Sequence, residues 1–386
     1  MKHKSTTHID ITTILGTINA LSLLNNKNNN NSVSIHNLYT LSQFLESIIF
    51  YDNVLYECDT HKNYDPYLDT IKRSSLFEHI GSGQKVIVGH NPPSKSDEII
   101  SDSYSWALDK SGIVDKNIIK KATIIRKDIY QCVEDNYGVK DFKNPFIEDE
   151  LASLKKTSSS SKLCKINVCI SKIGITGLHT LSRVYLLHDW LSDTKITYSP
   201  HFTRANITSF LLNDQNKTKK FNKWASEKIQ SSKENFLESI DIPYKDNVFK
   251  FSPIFTTCLV GAKYPLDVLN NALILRDKAK ELRRLLSKLE NSKMDDNKIT
   301  VSLRESLLNQ LESISTSNNN NNSFSLSAGI GYSLYTGISC HINIHKLLTK
   351  KHKKSNLAFF SDIYNTSKSI YNEMQLIEKI FGTVSY

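Results

Sequence analysis

Apolar residues recur at helical spacing through most of this chain. Ile14, Ile18, Leu21 and Leu24 form one stripe over residues 11–24, and Leu38, Leu41, Leu45, Ile48 and Ile49 form another over 35–52. The Asn-rich stretch between them reads as a loop. Tyr67, Leu68, Ile71, Leu76, Phe77 and Ile80 predict a further helix, flanked by two short β-like runs at 54–57 and 85–89, so any sheet is small. Residues 97–110 and 114–135 also read as helical, the second with Ile118, Ile125, Ile129 and Cys132 on one face and Asn136 and Gly138 at its end.

Beyond the Ser run at 157–162 the pattern stays helical. Residues 163–171 suit a strand or a short helix. Residues 175–193, 203–212, 221–240, 266–289 and 301–314 read as helices, with Pro265 fitting a first turn. A closing stripe runs through Phe359, Ile363, Ile370, Met374, Ile377 and Ile380. The expected fold is mainly α, a multi-helix globular assembly with minor β content in the first half. The Ser run offers the best boundary, between a mostly helical block with short strands at 1–157 and a helical block at 162–386. One continuous domain is the alternative. No repeat of fixed period is present.

Length adds that 386 residues can bury a core without disulfides or a structural metal. The six cysteines are scattered through apolar stretches, as reduced thiols would be, which points to the cytoplasm. Residues 11–24 carry Thr12, Thr13, Thr17, Asn19 and Ser22, unlike the apolar core of a signal peptide, and no window approaches a membrane span. Runs of Asn at 28–31 and 318–322 are what an AT-rich genome encodes.

The charge balance of 49 basic against 39 acidic residues, +10, would ordinarily suggest an acidic partner such as nucleic acid. Lysine dominates that excess, however, and bidentate readout favours arginine. The best nucleic-acid candidates are Lys346, Lys350, Lys351, Lys353 and Lys354. Against this lysine background, Arg183, Arg204 and Arg276 mark places where the guanidinium itself matters, structurally or functionally. Pairs such as Arg183–Asp189 and Arg276–Asp277 are expected to pin helices together.

Candidate chemistry is sparse. His179, His188 and Asp189 could hold a divalent metal and activate water, and the His188-Asp189 dipeptide superficially resembles the HD phosphohydrolase signature. The resemblance stops at that dipeptide. Nine residues separate the two histidines, about 900° of helical turn, which sets them on opposite faces of one helix. His341 and His345 share a face at i and i+4, suitable for metal ligation, but without the glutamate of a zincin and next to the basic run. Cys164 and Cys169 have the wrong parity to share an ion on a strand. Gly81-Ser-Gly83 precedes a strand where a phosphate loop should follow one, and so reads as a tight turn. No motif specifies a cofactor.

The leading expectation is therefore a helical protein-interaction or scaffold component, with another protein or a second copy as partner. A metal-dependent phosphodiesterase or nuclease using His179, His188 and Asp189 competes with it. A nucleic-acid-binding accessory protein without catalysis is the third reading.

Overall fold

A computed structural model describes residues 6–24, 32–57, 65–81, 86–90, 97–110, 156, 158–194, 196–199, 201, 251, 253–280, 283–284, 363, 366, 370 and 372–385. These residues are mainly α with minor β content, as the periodicity predicts. The expected helices at 114–135, 203–212, 221–240 and 301–314 lie outside the described residues.

The order is β1 (Thr6–Ile9), α1 (Ile11–Ala20), β2 (Ser32–Ser34), α2 (Ile35–Phe50), β3 (Asn53–Glu57), α3 (Asp65–Arg73), α4 (Leu76–Ile80), β4 (Ile87–His90) and α5 (Asp97–Lys110). Then follow α6 (Ser160–Thr194), β5 (Thr197–Ser199), α7 (Pro253–Leu259), α8 (Pro265–Lys278), α9 (Glu373–Phe381) and β6 (Thr383–Ser385). The single helix expected across 67–80 divides into α3 and α4, with Ser74 and Ser75 between them. Residues 163–171 are helix, not strand, and belong to α6. Gly174, at φ +76°, interrupts that helix in a conformation glycine adopts freely.

The small β content has a definite topology. Four strands form one parallel sheet in the order β4-β3-β1-β5, and β2 pairs with β6 in a second parallel pair. Two of these strands, β5 and β6, fall in the second half, beyond the half where β content is expected. Each parallel neighbour needs a crossover, and helices supply them, α1 and α2 between β1 and β3, α3 and α4 between β3 and β4. β1 is buried at Thr7, His8 and Ile9 alike, as a central strand covered on both faces should be.

α2 lies at the centre of the packing. It touches α1, α7 and α8, and fourteen of its sixteen residues are buried, among them Leu38, Leu41, Phe44, Leu45, Ile48 and Ile49. Its polar face is buried as well, through Asn37, Thr40, Ser42, Gln43, Glu46 and Ser47. Thr40 and Ser47 satisfy their hydroxyls by bonding back to the carbonyls of His36 and Gln43. α1 approaches closely because Gly16 faces Thr40, where a Cβ would come within 2.7 Å of the threonine methyl. The main core joins both helices to the sheet and to α7, α8 and α9, whereas a smaller cluster of Tyr104, Ala107, Ile166, Cys169, Leu178 and Leu181 joins α5 to α6.

The C-terminal end of α2 is closed by arginines. A helix leaves its last carbonyls without intrahelical partners, and its dipole favours cations there. Arg276 of α8, buried, donates to the carbonyls of Ile48, Tyr51 and Asp52, the last two at 2.6 and 2.9 Å. Arg283 donates to Ile49 at 3.0 Å and pairs with Asp52 at 3.4 Å. The pinning expected of Arg276 therefore runs mainly through backbone carbonyls of α2, with its neighbour Asp277 exposed.

Candidate functional site

The strand order fixes where chemistry can gather. From β1 the chain moves to β3 and then β4 on one side, and β5 lies on the other side of β1. The order thus reverses between β1 and β5, and a crevice at the carboxyl ends of two such strands is where open parallel sheets take ligands. The register pairs Ile9 with Ser199, so the residues immediately beyond both strands emerge together.

Asp10 directly follows β1, and His201 is the second residue past the end of β5. Asp10 is the N-cap of α1, but its side chain makes no cap hydrogen bond to that helix. Its Oδ2 instead accepts the backbone N–H of His201 at 2.7 Å, and both residues are 2 % exposed. A carboxylate so enclosed needs charge-assisted hydrogen bonds, and the positive end of α1 adds to them.

The His201 ring reaches α2, its Nε2 lying 3.2 Å from the Thr40 hydroxyl. That hydroxyl has one proton, which it gives to the His36 carbonyl at 2.8 Å. His201 Nε2 must then carry a hydrogen and donate it to Thr40, which assigns the tautomer from the network. One turn on, Gln43 donates from Nε2 to the Ser199 hydroxyl at 3.1 Å. The polar positions of α2 thus bond to the exit of β5, and His8 of β1 is fully buried.

None of these residues carries a sequence motif. A His-x-Asp triplet, His8-Ile9-Asp10, directly before a helical stripe is the local trace of the site.

The residues singled out by sequence lie elsewhere. His179, Arg183, His188 and Asp189 all fall on the helical backbone of α6 after Gly174, with their side chains outside the described ones. Arg204, His341, His345, Lys346, Lys350, Lys351, Lys353 and Lys354 are outside the described residues. Cys164 is exposed and Cys169 buried on one helix, so these two thiols do not converge. Among the described residues no group of three His, Cys, Asp or Glu side chains converges as a metal cage, and no helix is long and apolar enough to cross a membrane.

No family model, curated protein or solved structure matches the chain.

Proposed function

We propose that this chain binds a phosphate ester together with a divalent cation in the crevice at the carboxyl ends of β1 and β5, and hydrolyses it. The observation that carries this reading is the reversal of strand order beside β1, which sets Asp10, His201 and the first turn of α1 in one place. The carboxylate calls for positive charge and the helix N-terminus for negative charge. A phosphate chelated to a cation presents both. Magnesium is commonly held by one or two carboxylates plus substrate phosphates, so Asp10 suffices without a cage of protein ligands. Hydrolysis joins a water oxygen to phosphorus and breaks the ester P–O bond, the leaving oxygen taking up the proton that the water sheds.

This keeps the phosphodiesterase or nuclease reading and moves its carboxylate from Asp189 to Asp10. The test is hydrolysis of bis(p-nitrophenyl) phosphate and of single-stranded oligonucleotides with Mg2+ or Mn2+. Cation-dependent turnover that disappears in Asp10→Asn supports the proposal, and turnover equal in both proteins opposes it.

A second reading, an interaction component docking another protein or its own copy, is favoured by exposed apolar side chains. Val168 on α6 is 47 % exposed, Tyr264 before α8 70 % and Ile274 on α8 56 %. A cytoplasmic location accompanies either reading, supported by the free thiols of Cys164, Cys169 and Cys258.

A further inference from the structure

We propose that the Thr13 hydroxyl is a ligand contact, donating to a phosphoryl oxygen seated at the first turn of α1. This rests on the crevice reading above and adds a residue to it.

Thr13 is fully buried, and among the described residues its Oγ1 has no hydrogen-bond partner. Other buried hydroxyls nearby show how a helix normally satisfies such a group. Thr17, Thr40 and Ser47 each donate to the carbonyl four residues back. For Thr13 that residue is Ile9, which belongs to β1, so the usual acceptor is engaged in the strand and not in a helical turn. A buried hydroxyl left without a partner destabilises the fold, and here the cost falls on a position where valine has nearly the same shape.

Its direction is set by the helix. Cα–Cβ bonds tilt toward the N-terminus, so a side chain on the first turn leans over the N-cap. Thr13 therefore leans toward Asp10, whose own side chain does not cap α1. Thr12 Oγ1, one residue earlier, is also buried without a hydrogen-bond partner among the described residues. Along the same stripe, Gly16 abuts Thr40, which takes the His201 ring. Two unused hydroxyls beside an uncapped helix N-terminus suit an oxyanion, and the Asp10 carboxylate beside them requires that the oxyanion arrive with a cation.

The test compares Thr13→Val, Thr13→Ser and the wild type in two measurements, the Kd for inorganic phosphate in the presence of Mg2+ by calorimetry and the Tm without either ligand. Losing a hydrogen bond to a charged group predicts at least about tenfold weaker phosphate binding in Thr13→Val, with Thr13→Ser close to wild type. The ligand-free Tm of Thr13→Val should be equal to or above that of the wild type, because no internal bond is lost. Unchanged affinity in Thr13→Val overturns the inference, as does a lower ligand-free Tm that Thr13→Ser restores. If Asp10→Asn abolishes binding while Thr13→Val does not, the Thr13 contact falls and the crevice stands. If the wild type does not bind phosphate with Mg2+, both fall.

Discussion

Asp10 and His201, 191 positions apart in sequence, are joined by one hydrogen bond of 2.7 Å from the histidine N–H to the carboxylate. The bond closes the gap between the two strands at the point where the sheet changes direction. An Asn in place of Asp10 keeps an acceptor oxygen for that N–H while removing the charge. Asp10→Asn should therefore fold and melt as one cooperative unit, with its Tm within a few degrees of wild type, whereas Asp10→Leu, which strands the buried N–H, should lose about 1–3 kcal/mol by urea unfolding. Equal stabilities for the two variants would remove the structural half of the argument.

Gly16 and Thr40 set the spacing of α1 and α2. A Cβ on residue 16 would lie 2.7 Å from the Thr40 methyl and 3.0 Å from its Cβ. Gly16→Ala should destabilise by about 1–3 kcal/mol, as overpacking does. Adding Thr40→Ser, which removes the nearest atom and keeps the hydroxyl for His201, should recover part of the loss. A double mutant no better than the single one would show that the clash lies elsewhere.

Arg276 serves three carbonyls at the end of α2 from a buried position. Burial, reinforced by the neighbouring Arg283 and opposed by Asp52 and Asp277, lowers its pKa to about 10, so the guanidinium stays charged at neutral pH. Arg276→Ala should cost about 3 kcal/mol or more, because several buried carbonyls lose their donor at once. Arg276→Lys should recover less than half, since an ammonium lacks the planar fork. Chemical denaturation of both variants checks this, and a wild-type midpoint for Arg276→Lys would contradict it.

Cys258 gives a pH dependence. Burial, and secondarily the Glu46 carboxylate, push its thiol well above the ordinary value of 9.0. A folded pKa raised above the unfolded one gives stability that is complete below pH 9 and declines as pH rises, by about 1.4 kcal/mol per unit for one proton. Thermal melts from pH 8 to 10.5 should show a shallower decline in Cys258→Ala than in wild type. In the native protein at pH 8, iodoacetamide should label the exposed Cys164 and spare Cys169 and Cys258.

How much of this was legible in sequence follows from how local each signal is. α2 announces itself through Leu38, Leu41, Leu45 and Ile48, and β3 through Val54 and Leu55, because their periods are written in adjacent residues. β1 is Thr-Thr-His-Ile, whose polar residues hide a strand buried on both faces, and β5 is three residues long. Thr40, Gln43 and Glu46 are polar residues of α2, yet all three are buried. Arg276 stood out because arginine is scarce here, but its acceptors are backbone carbonyls of another helix, which no side-chain pattern encodes. The site depends on a contact spanning 191 residues and on strand order, neither of which is a local property.

The central claim is that Asp10 holds a cation jointly with a phosphate. Titration of Mn2+ followed by electron paramagnetic resonance, with and without inorganic phosphate, tests it on wild type and Asp10→Asn side by side. One Mn2+ site that tightens when phosphate is added, and is lost in Asp10→Asn, is the predicted result. Mn2+ binding that ignores phosphate, or that survives unchanged in Asp10→Asn, would contradict it.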